Sequence, residues 1–207
     1  MSPRTKTASD ADILDAAARV ILRVGPTGLR LADVAEEVGL APATLLQRFK
    51  SKRALLQAVA AHGTKAMTDD FASRRARAAS PLDALLAMSP QVRALTRSRR
   101  CLTNKLAFLQ LGLSDPVFQR HLNAHHRAVQ NELQKLIAEA VGAGELTACD
   151  TRAVAHALLA VWHGSLLIWA LTKAGAAEAH IRGDLEAVLE PYRVHNATAV
   201  VRMSPSL

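Results

Sequence analysis

A chain of 207 residues is long for one small domain and short for three, so a small module joined to a larger body is expected. Half the residues are apolar but only 3% are aromatic, Ala and Leu dominate, and the alternating Val/Ile/Thr/Tyr runs of strands are missing; the fold class is all-α. The formal net charge of +8 is uneven: nine Lys/Arg against six Asp/Glu in residues 1–60, nine against three in 61–110 and eight against nine in 111–207, which gives the N-terminal half the charge to meet a polyanion.

Cys101 and Cys149 stand apart without metal-ligand spacing, as in a reduced compartment. No unbroken apolar run reaches the roughly 18–20 residues of a bilayer span. The start, MSPRTKTASDAD, lacks the apolar segment of a secretion signal. A cytoplasmic protein with no membrane partner is expected.

The first predicted helix opens at a capping box, Ser9 with Asp12, after a flexible basic tail over 1–8. Ile13, Leu14, Ala17, Val20, Ile21 and Val24 form its buried stripe, and Gly25-Pro26 stops it. A second helix runs from about Leu31 to Val38, burying Leu31, Val34, Ala35 and Val38. A third spans about Pro42 to Phe49, with Leu45 and Phe49 facing inward. Ser51 caps a fourth, which carries Leu55, Leu56 and Val59 and continues toward Ala78, joining module to body without a loose linker. Ser80-Pro81-Leu82-Asp83 starts the body, and Ser89-Pro90 marks a break or a second start. Helices follow over about 99–112, from Asp115-Pro116 to Val141, from Asp150 to about Ala174, and over about 177–190, the last with Ile181, Leu185, Val188 and Leu189 on one side. Gly142-Ala143-Gly144, Gly175 and Pro191 punctuate them, and a second flexible tail covers 194–207. The count is about nine helices. Residues 9–58 form the module, and 59–193 the body.

Residues 31–56, LADVAEEVGLAPATLLQRFKSKRALL, carry the function. Two short helices joined by a tight turn at Gly39 form a helix-turn-helix, whose second helix enters the DNA major groove. Such a helix needs apolar anchors at its base, here Leu40, Leu45 and Phe49, and small or polar groups outward. Ala41, Pro42, Ala43, Thr44, Leu46, Gln47 and Arg48 include that face, and the helix N-terminus offers N–H groups to a phosphate.

These residues resemble the tetracycline-repressor (TetR) family of bacterial transcription regulators. The matching pieces are Ile13-Leu14-Asp15-Ala16-Ala17, Asp33-Val34-Ala35, Val38-Gly39-Leu40, Thr44-Leu45, Phe49, Lys52 and Leu55-Leu56; in the body, Asp115-Pro116, Gly144-Glu145-Leu146 and the long helix with Gly164 agree. The resemblance implies a homodimer of about nine helices per subunit, with a three-helix DNA-binding head on a ligand-binding core and the last two long helices forming the dimer bundle. It also implies phosphate contacts from Thr44 and Lys52. Leu46 stands where the family most often has Tyr, Arg48 where it often has His, and Ala41-Pro42-Ala43 where Ser-Lys-Gly is frequent. The DNA-contacting set is therefore Arg30, Pro42, Ala43, Thr44, Leu46, Gln47, Arg48 and Lys52, with base reading left to Thr44, Gln47 and apolar contacts of Pro42 or Ala43. Arg4 and Lys6 can add contacts from a flexible arm.

Other groupings have plainer readings beside them. Arg93, Arg97, Arg99, Arg100 and Lys105 form the densest basic cluster, read as a solvated helix junction or as an anion- or DNA-facing surface. His121 and His125 sit one helical turn apart with His126 beside them; the spacing can chelate zinc, yet no carboxylate or Cys completes a set locally, so pocket-lining or solvated histidines are favoured and no metal is expected. Trp162 and Trp169 share a helix face and either pack or line a cavity. Pocket candidates are Met88, Phe108, Leu109, His125 and Trp162. Ala160 and Gly164 allow close helix approach, and with Leu185 and Leu189 they make the candidate dimer face. Cys101 has no activating partner in the sequence, and no enzyme activity or cofactor is expected.

The reading is a ligand-responsive, homodimeric repressor, released from a palindromic double-stranded operator by an unknown small-molecule effector, with the fourth helix as lever. A helical metal-binding sensor or enzyme using the His121/His125 group is the alternative.

Overall fold

The computed structural model describes residues 8–87, 90–172 and 175–195. Arg4, Lys6, Met88, Ser89 and most of the two expected tails lie outside the described residues. Among the described residues ten α-helices follow one another: α1 Asp10–Gly28, α2 Leu31–Glu37, α3 Pro42–Phe49, α4 Lys52–Arg77, α5 Pro81–Leu86, α6 Pro90–Thr96, α7 Arg99–Ser114, α8 Pro116–Gly142, α9 Thr151–Thr172 and α10 Ala177–Leu189. A 3-10 turn, Glu190–Tyr192, closes the series, and a single bridge between Leu146 and Arg193 is the one β-type pairing among them. The all-α class is as the composition predicts.

The helix starts obey local rules. Ser9 caps α1 through a reciprocal capping box: its Oγ accepts from the Asp12 N–H at 3.1 Å, and the Asp12 carboxylate accepts from the Ser9 N–H at 2.9 Å. Ser51, Ser80 and Ser98 cap α4, α5 and α7 by their hydroxyls, and Asp115 caps α8 by accepting from the N–H groups of Val117 and Phe118. Such caps contribute about 1 kcal/mol each. Pro stands at or next to the first position of α3, α5 and α8, where its missing N–H costs nothing.

Gly25-Pro26 breaks α1 rather than ending it. Gly25 takes φ +79°, and the helical path resumes for a short turn to Gly28. Pro26 has no N–H to return to the Leu22 carbonyl one turn back, so that carbonyl is left without its helical partner. Asn104 on α7 supplies one: its Nδ2 donates to Leu22 O at 2.9 Å. The α1 break is thereby tied to the body.

Two apolar clusters organise the molecule. The first gathers Ile13, Ala17, Val20, Val34, Leu45 and Leu55 from α1–α4, and is completed by Phe108 of α7 and Phe118 of α8, whose rings meet edge to face with centroids 6.2 Å apart. The second gathers Leu85, Val92, Leu136, Ile137, Leu158, Ile181 and Leu189 from α5–α10, with Phe71 of α4. Full burial of each such side chain contributes about 1.5–3 kcal/mol. Helix α4 runs unbroken from the first cluster to the second, so the two are joined by helix, not by a linker. α7 packs along α1, which is a second connection.

By length and composition α9 is apolar enough to cross a membrane, the one such helix among the described residues. This corrects the expectation that no segment qualifies: counting unbroken apolar runs stops at His156, His163 and Ser165, whereas the average over the helix does not. A third of its apolar window is buried inside the subunit.

Candidate nucleic-acid interface and helical core

The α2–α3 corner is built by one glycine and one leucine. Gly39 takes φ +69°, which lets the chain reverse after α2, and the Leu40 N–H returns to the Ala35 carbonyl at 2.8 Å. Leu45 is fully buried in the head cluster, with Leu40 and Phe49 packed against it. These are the three anchors the sequence predicts. Holding α3 by one face leaves the other free: Pro42, Ala43, Leu46, Gln47 and Arg48 are exposed, Thr44 is partly so, and Leu46 is 52% exposed. Arg30, just before α2, is also exposed. An exposed leucine on so small a helix has no role in the head's own core.

Two of the expected DNA-contacting cations have partners inside the head. Arg48 Nη1 donates to the Ala8 carbonyl at 2.7 Å and lies 3.2 Å from the Asp10 carboxylate, tying the end of α3 to the start of α1. Lys52 Nζ donates to the Thr27 carbonyl at 2.5 Å, bracing the α1–α2 corner. Sequence spacing cannot find these partners, since they come from 40 and 25 residues away. The head is further clamped by Arg19 and Arg23 of α1 on Glu37 of α2, at 2.7 and 3.2 Å, and by His62 of α4 against Asp15 at 2.9 Å.

Between α3 and α4 the chain makes an unusual step. Lys50 takes φ +65° and ψ −35°, and the Ser51 N–H donates to the Phe49 carbonyl two residues back at 2.7 Å. That is a γ-turn with positive φ, a strained conformation for a residue with a Cβ.

Helix α8 lies at the centre of the body, against α4, α5, α7 and α9. Arg53 of α4 pairs with Asp115 at the α8 start, so the cap of α8 also carries an ion pair to the head end of α4. Desolvation opposes ionisation of Asp115, but the Val117 and Phe118 N–H groups and Arg53 hold it below the usual carboxylate range. Arg74 stacks 4.1 Å from the Phe71 ring centre and pairs with Asp70 at 3.0 Å, and Arg75 reaches Glu139 at 2.9 Å and Glu132 at 3.4 Å.

The basic cluster of the sequence is divided. Arg93 pairs with Glu178 of α10 at 2.9 Å, and Arg97, Arg99 and Arg100 are exposed. Lys105 turns the other way: it is partly buried, and desolvation pushes its ammonium below the ordinary lysine value. His125 is pushed down to about 4 by burial and by Lys105, with a hydrogen bond to the Gly63 carbonyl opposing the shift. His163 is lowered by desolvation in the same way, and its Nδ1 meets the Leu159 carbonyl at 2.8 Å. Among the described residues no three His, Cys, Asp or Glu side chains are grouped to hold a metal, which leaves His121 and His125 without the set that a metal-sensor reading requires.

The pocket candidates scatter. Phe108 belongs to the head-side cluster, Leu109 is partly buried on α7, Trp162 packs at the margin of the body core with its ring 4.9 Å from that of His163, and Met88 lies outside the described residues. Of this set, Phe108 and His125 adjoin Lys105. The candidate dimer residues divide too. Ala160 is exposed and Gly164 partly so, but Leu185 and Leu189 are buried in the subunit's own core. Their apolar stripe is used to hold α10 on α9. The apolar surface left over on α9 is Leu167, Ile168 and Leu171, the last 81% exposed, and spacing on the helix alone did not single these out; on α7, Leu106 and Leu113 are exposed as well.

Two family models match the chain: "Bacterial regulatory proteins, tetR family" over residues 13–59, and "BetI-type transcriptional repressor, C-terminal" over residues 74–191. No curated protein matches it in sequence. Several solved structures share the fold. A TetR-family transcriptional regulator from Rhodococcus sp. is 23% identical, with 87% of this chain and 97% of that one covered at a TM-score of 0.64. FadR from Bacillus subtilis, in complex with stearoyl-CoA, is 18% identical, with 90% and 100% covered at 0.68. A transcriptional regulator from Saccharomonospora viridis, in complex with choline, is 22% identical, with 90% and 98% covered at 0.66. With the head and most of the body matched, the chain belongs to the TetR family of bacterial transcriptional regulators.

Proposed function

We propose that the protein is a homodimeric, cytoplasmic repressor, without enzyme activity, that leaves a palindromic operator when a small molecule enters its helical body. The observation that carries this reading is α3: Leu45 fixes it to the head while Pro42, Ala43, Leu46 and Gln47 stand free on its outer face. A helix held in that way can enter a major groove, and two heads of a dimer meet half-sites about 34–36 Å apart or a multiple of that. The exposed Leu167, Ile168 and Leu171 of α9 support a dimer, because burying them against a second copy removes apolar surface from water. Stearoyl-CoA and choline in two structures of this fold support a ligand site in the body without specifying one for this chain. A hundredfold preference of the effector for the DNA-incompetent state supplies about 2.7 kcal/mol of coupling.

The transmission route differs from a lever made of α4 alone. α7 carries Asn104 and Phe108 into the head and Lys105 toward the body, so α7 and α4 together can pass a movement to the head.

Titrating the purified protein onto the DNA upstream of its own coding region, at fixed salt with random duplex as competitor, tests the reading. Specific binding that survives excess random DNA is expected, and equal competition by random DNA overturns it. Gln47→Ala should relax preference at one operator position, while Thr44→Ala weakens binding to all sequences alike.

A further inference from the structure

Among the described residues Lys105 is a partly buried cation with no ion-pair partner. Its carrier α7, and α9, whose His163 feels its charge, contain no Asp or Glu at all. The acids of the other helices near it are committed elsewhere: on α1, Asp10 pairs with Arg48, Asp12 closes the Ser9 capping box and Asp15 meets His62; on α4, Asp69 pairs with Lys65 and Asp70 with Arg74; on α8, Glu132 pairs with Arg75 and Lys135, and Glu139 with Arg75. Its electrostatic neighbours are His125, His126 and His163, all of a type that can only add positive charge. The favourable contact it does make is with the Phe108 ring, 5.7 Å from Nζ to the ring centre. Part of the side chain still reaches solvent, yet burial depresses its ammonium. A desolvated cation without a counter-ion is costly to the fold, and such groups concentrate where a ligand supplies the missing charge.

The surroundings suit an anion with an apolar body. Phe108 lies under the Lys105 ammonium, and the Trp162 ring stands edge to face with His163. On α4, Gly63 gives its carbonyl to His125, and a Cβ added at Gly63 meets no atom within 4 Å, so α4 is not closely packed at that point. The Lys105 ammonium repels a quaternary ammonium ligand such as the choline bound by the Saccharomonospora viridis regulator, and the neutral imidazoles beside it do not offset that charge.

We propose that the meeting point of α4, α7, α8 and α9 binds an anionic effector, a carboxylate on an apolar body, with Lys105 as its counter-ion and His125 and His163 beside it. This rests on the regulator reading and names the class of its ligand. The ligand's charge acts on the helix that also holds the head through Asn104 and Phe108, so binding and DNA release share one element.

The test uses the full-length protein, titrated calorimetrically with decanoate, octanoate and benzoate, and with decan-1-ol and choline as controls. Variants are Lys105→Met, Lys105→Gln and Lys105→Arg. The wild type is expected to bind at least one carboxylate saturably and to bind neither control comparably. Either charge-removing variant loses about 10- to 100-fold in that affinity, the worth of a charge-assisted hydrogen bond, while Lys105→Arg retains most of it. Without ligand, Lys105→Met melts no lower than the wild type, because an unpaired buried charge has been removed; a purely structural lysine gives the opposite. Absence of saturable carboxylate binding, carboxylate affinity unchanged in both charge-removing variants, or choline bound as tightly as the carboxylates each overturns the proposal. Operator binding measured in parallel separates the two readings: specific DNA binding without carboxylate binding sinks the anion site alone, and carboxylate binding without specific DNA binding sinks the repressor alone.

Discussion

Asn104 on α7 donates to the Leu22 carbonyl of α1 at 2.9 Å, and its Oδ1 stands 2.9 Å from where a Cβ on Gly25 would project. One amide thus replaces the hydrogen bond that Pro26 cannot give and fills the space that Gly25 leaves. Asn104→Ala leaves a carbonyl unpaired in the head–body joint and is expected to cost about 1–3 kcal/mol in urea denaturation. Gly25→Ala strains a positive φ and collides with the same amide, so it too destabilises. Because both changes act on one contact, the double variant should lose less than the two single losses combined; strict additivity means that the two residues do not act together.

The γ-turn at Lys50 stores strain next to the recognition helix. Lys50→Gly relieves the positive φ and is expected to raise stability by about 1 kcal/mol, against the usual trend for glycine. Lys50→Ala, which removes the charge but keeps the Cβ, should leave stability within about 0.5 kcal/mol of the wild type. Thermal melts of the two variants separate backbone strain from charge, and a Lys50→Gly protein that melts lower than wild type rules strain out.

Acid should weaken the fold in two stages. His125 ionises near its ordinary value of 6.5 in the unfolded chain but is pushed down to about 4 in the folded protein, by burial and Lys105. Between those values the unfolded state binds a proton that the native state refuses, so stability falls as pH drops from about 6.5 to about 4. The loss is about 1–3 kcal/mol, and His163, lowered in the same direction, adds to it. Asp115 and Glu132, both held below the usual carboxylate range, release their contribution only at lower pH. Denaturation midpoints at pH 7.5, 6 and 5 should decline for the wild type and change by less than half as much for His125→Asn. A midpoint independent of pH over that range contradicts the buried neutral imidazole.

The proposed dimer face can be broken without touching the subunit core. Leu171 is 81% exposed and Ile168 51%, whereas Leu185 and Leu189 are buried within one subunit. Leu171→Asp or Ile168→Asp should therefore give a folded monomer in sedimentation velocity, with melting little changed beyond the loss of dimer stabilisation, and operator affinity reduced more than about tenfold. Leu189→Asp, in contrast, should fail to fold because it buries a charge. An intact dimer in both α9 variants moves the interface elsewhere.

The head is legible because its rules are local. A capping box, an apolar stripe of helical period, one turn glycine and three anchors each act over a few residues, and α1–α4 begin where those signals put them, although α1 passes the Gly25-Pro26 stop. The same locality lets the exposed face of α3 be read in advance. The side chains near that face behave differently: Arg48 folds back to Ala8 and Lys52 to Thr27, partners set by how α1 lies across α3 and α4. The run from Arg93 to Lys105 reads as one basic cluster, yet four of its members face outward and the fifth faces in, because α7 is turned by its packing along α1.

What the sequence by itself determined is therefore the all-α class, most of the helix starts and the helix-turn-helix, since each depends on spacing along one segment. What only the tertiary structure decided is which way the helices are rotated against each other. That rotation sends Phe108 and Phe118 into the head, turns Leu185 and Leu189 inward, leaves Leu171 bare and, among the described residues, leaves Lys105 without an ion pair. Apolar stripes wider than one contact face can pack in more than one orientation, and only the summed burial of all ten helices selects among them.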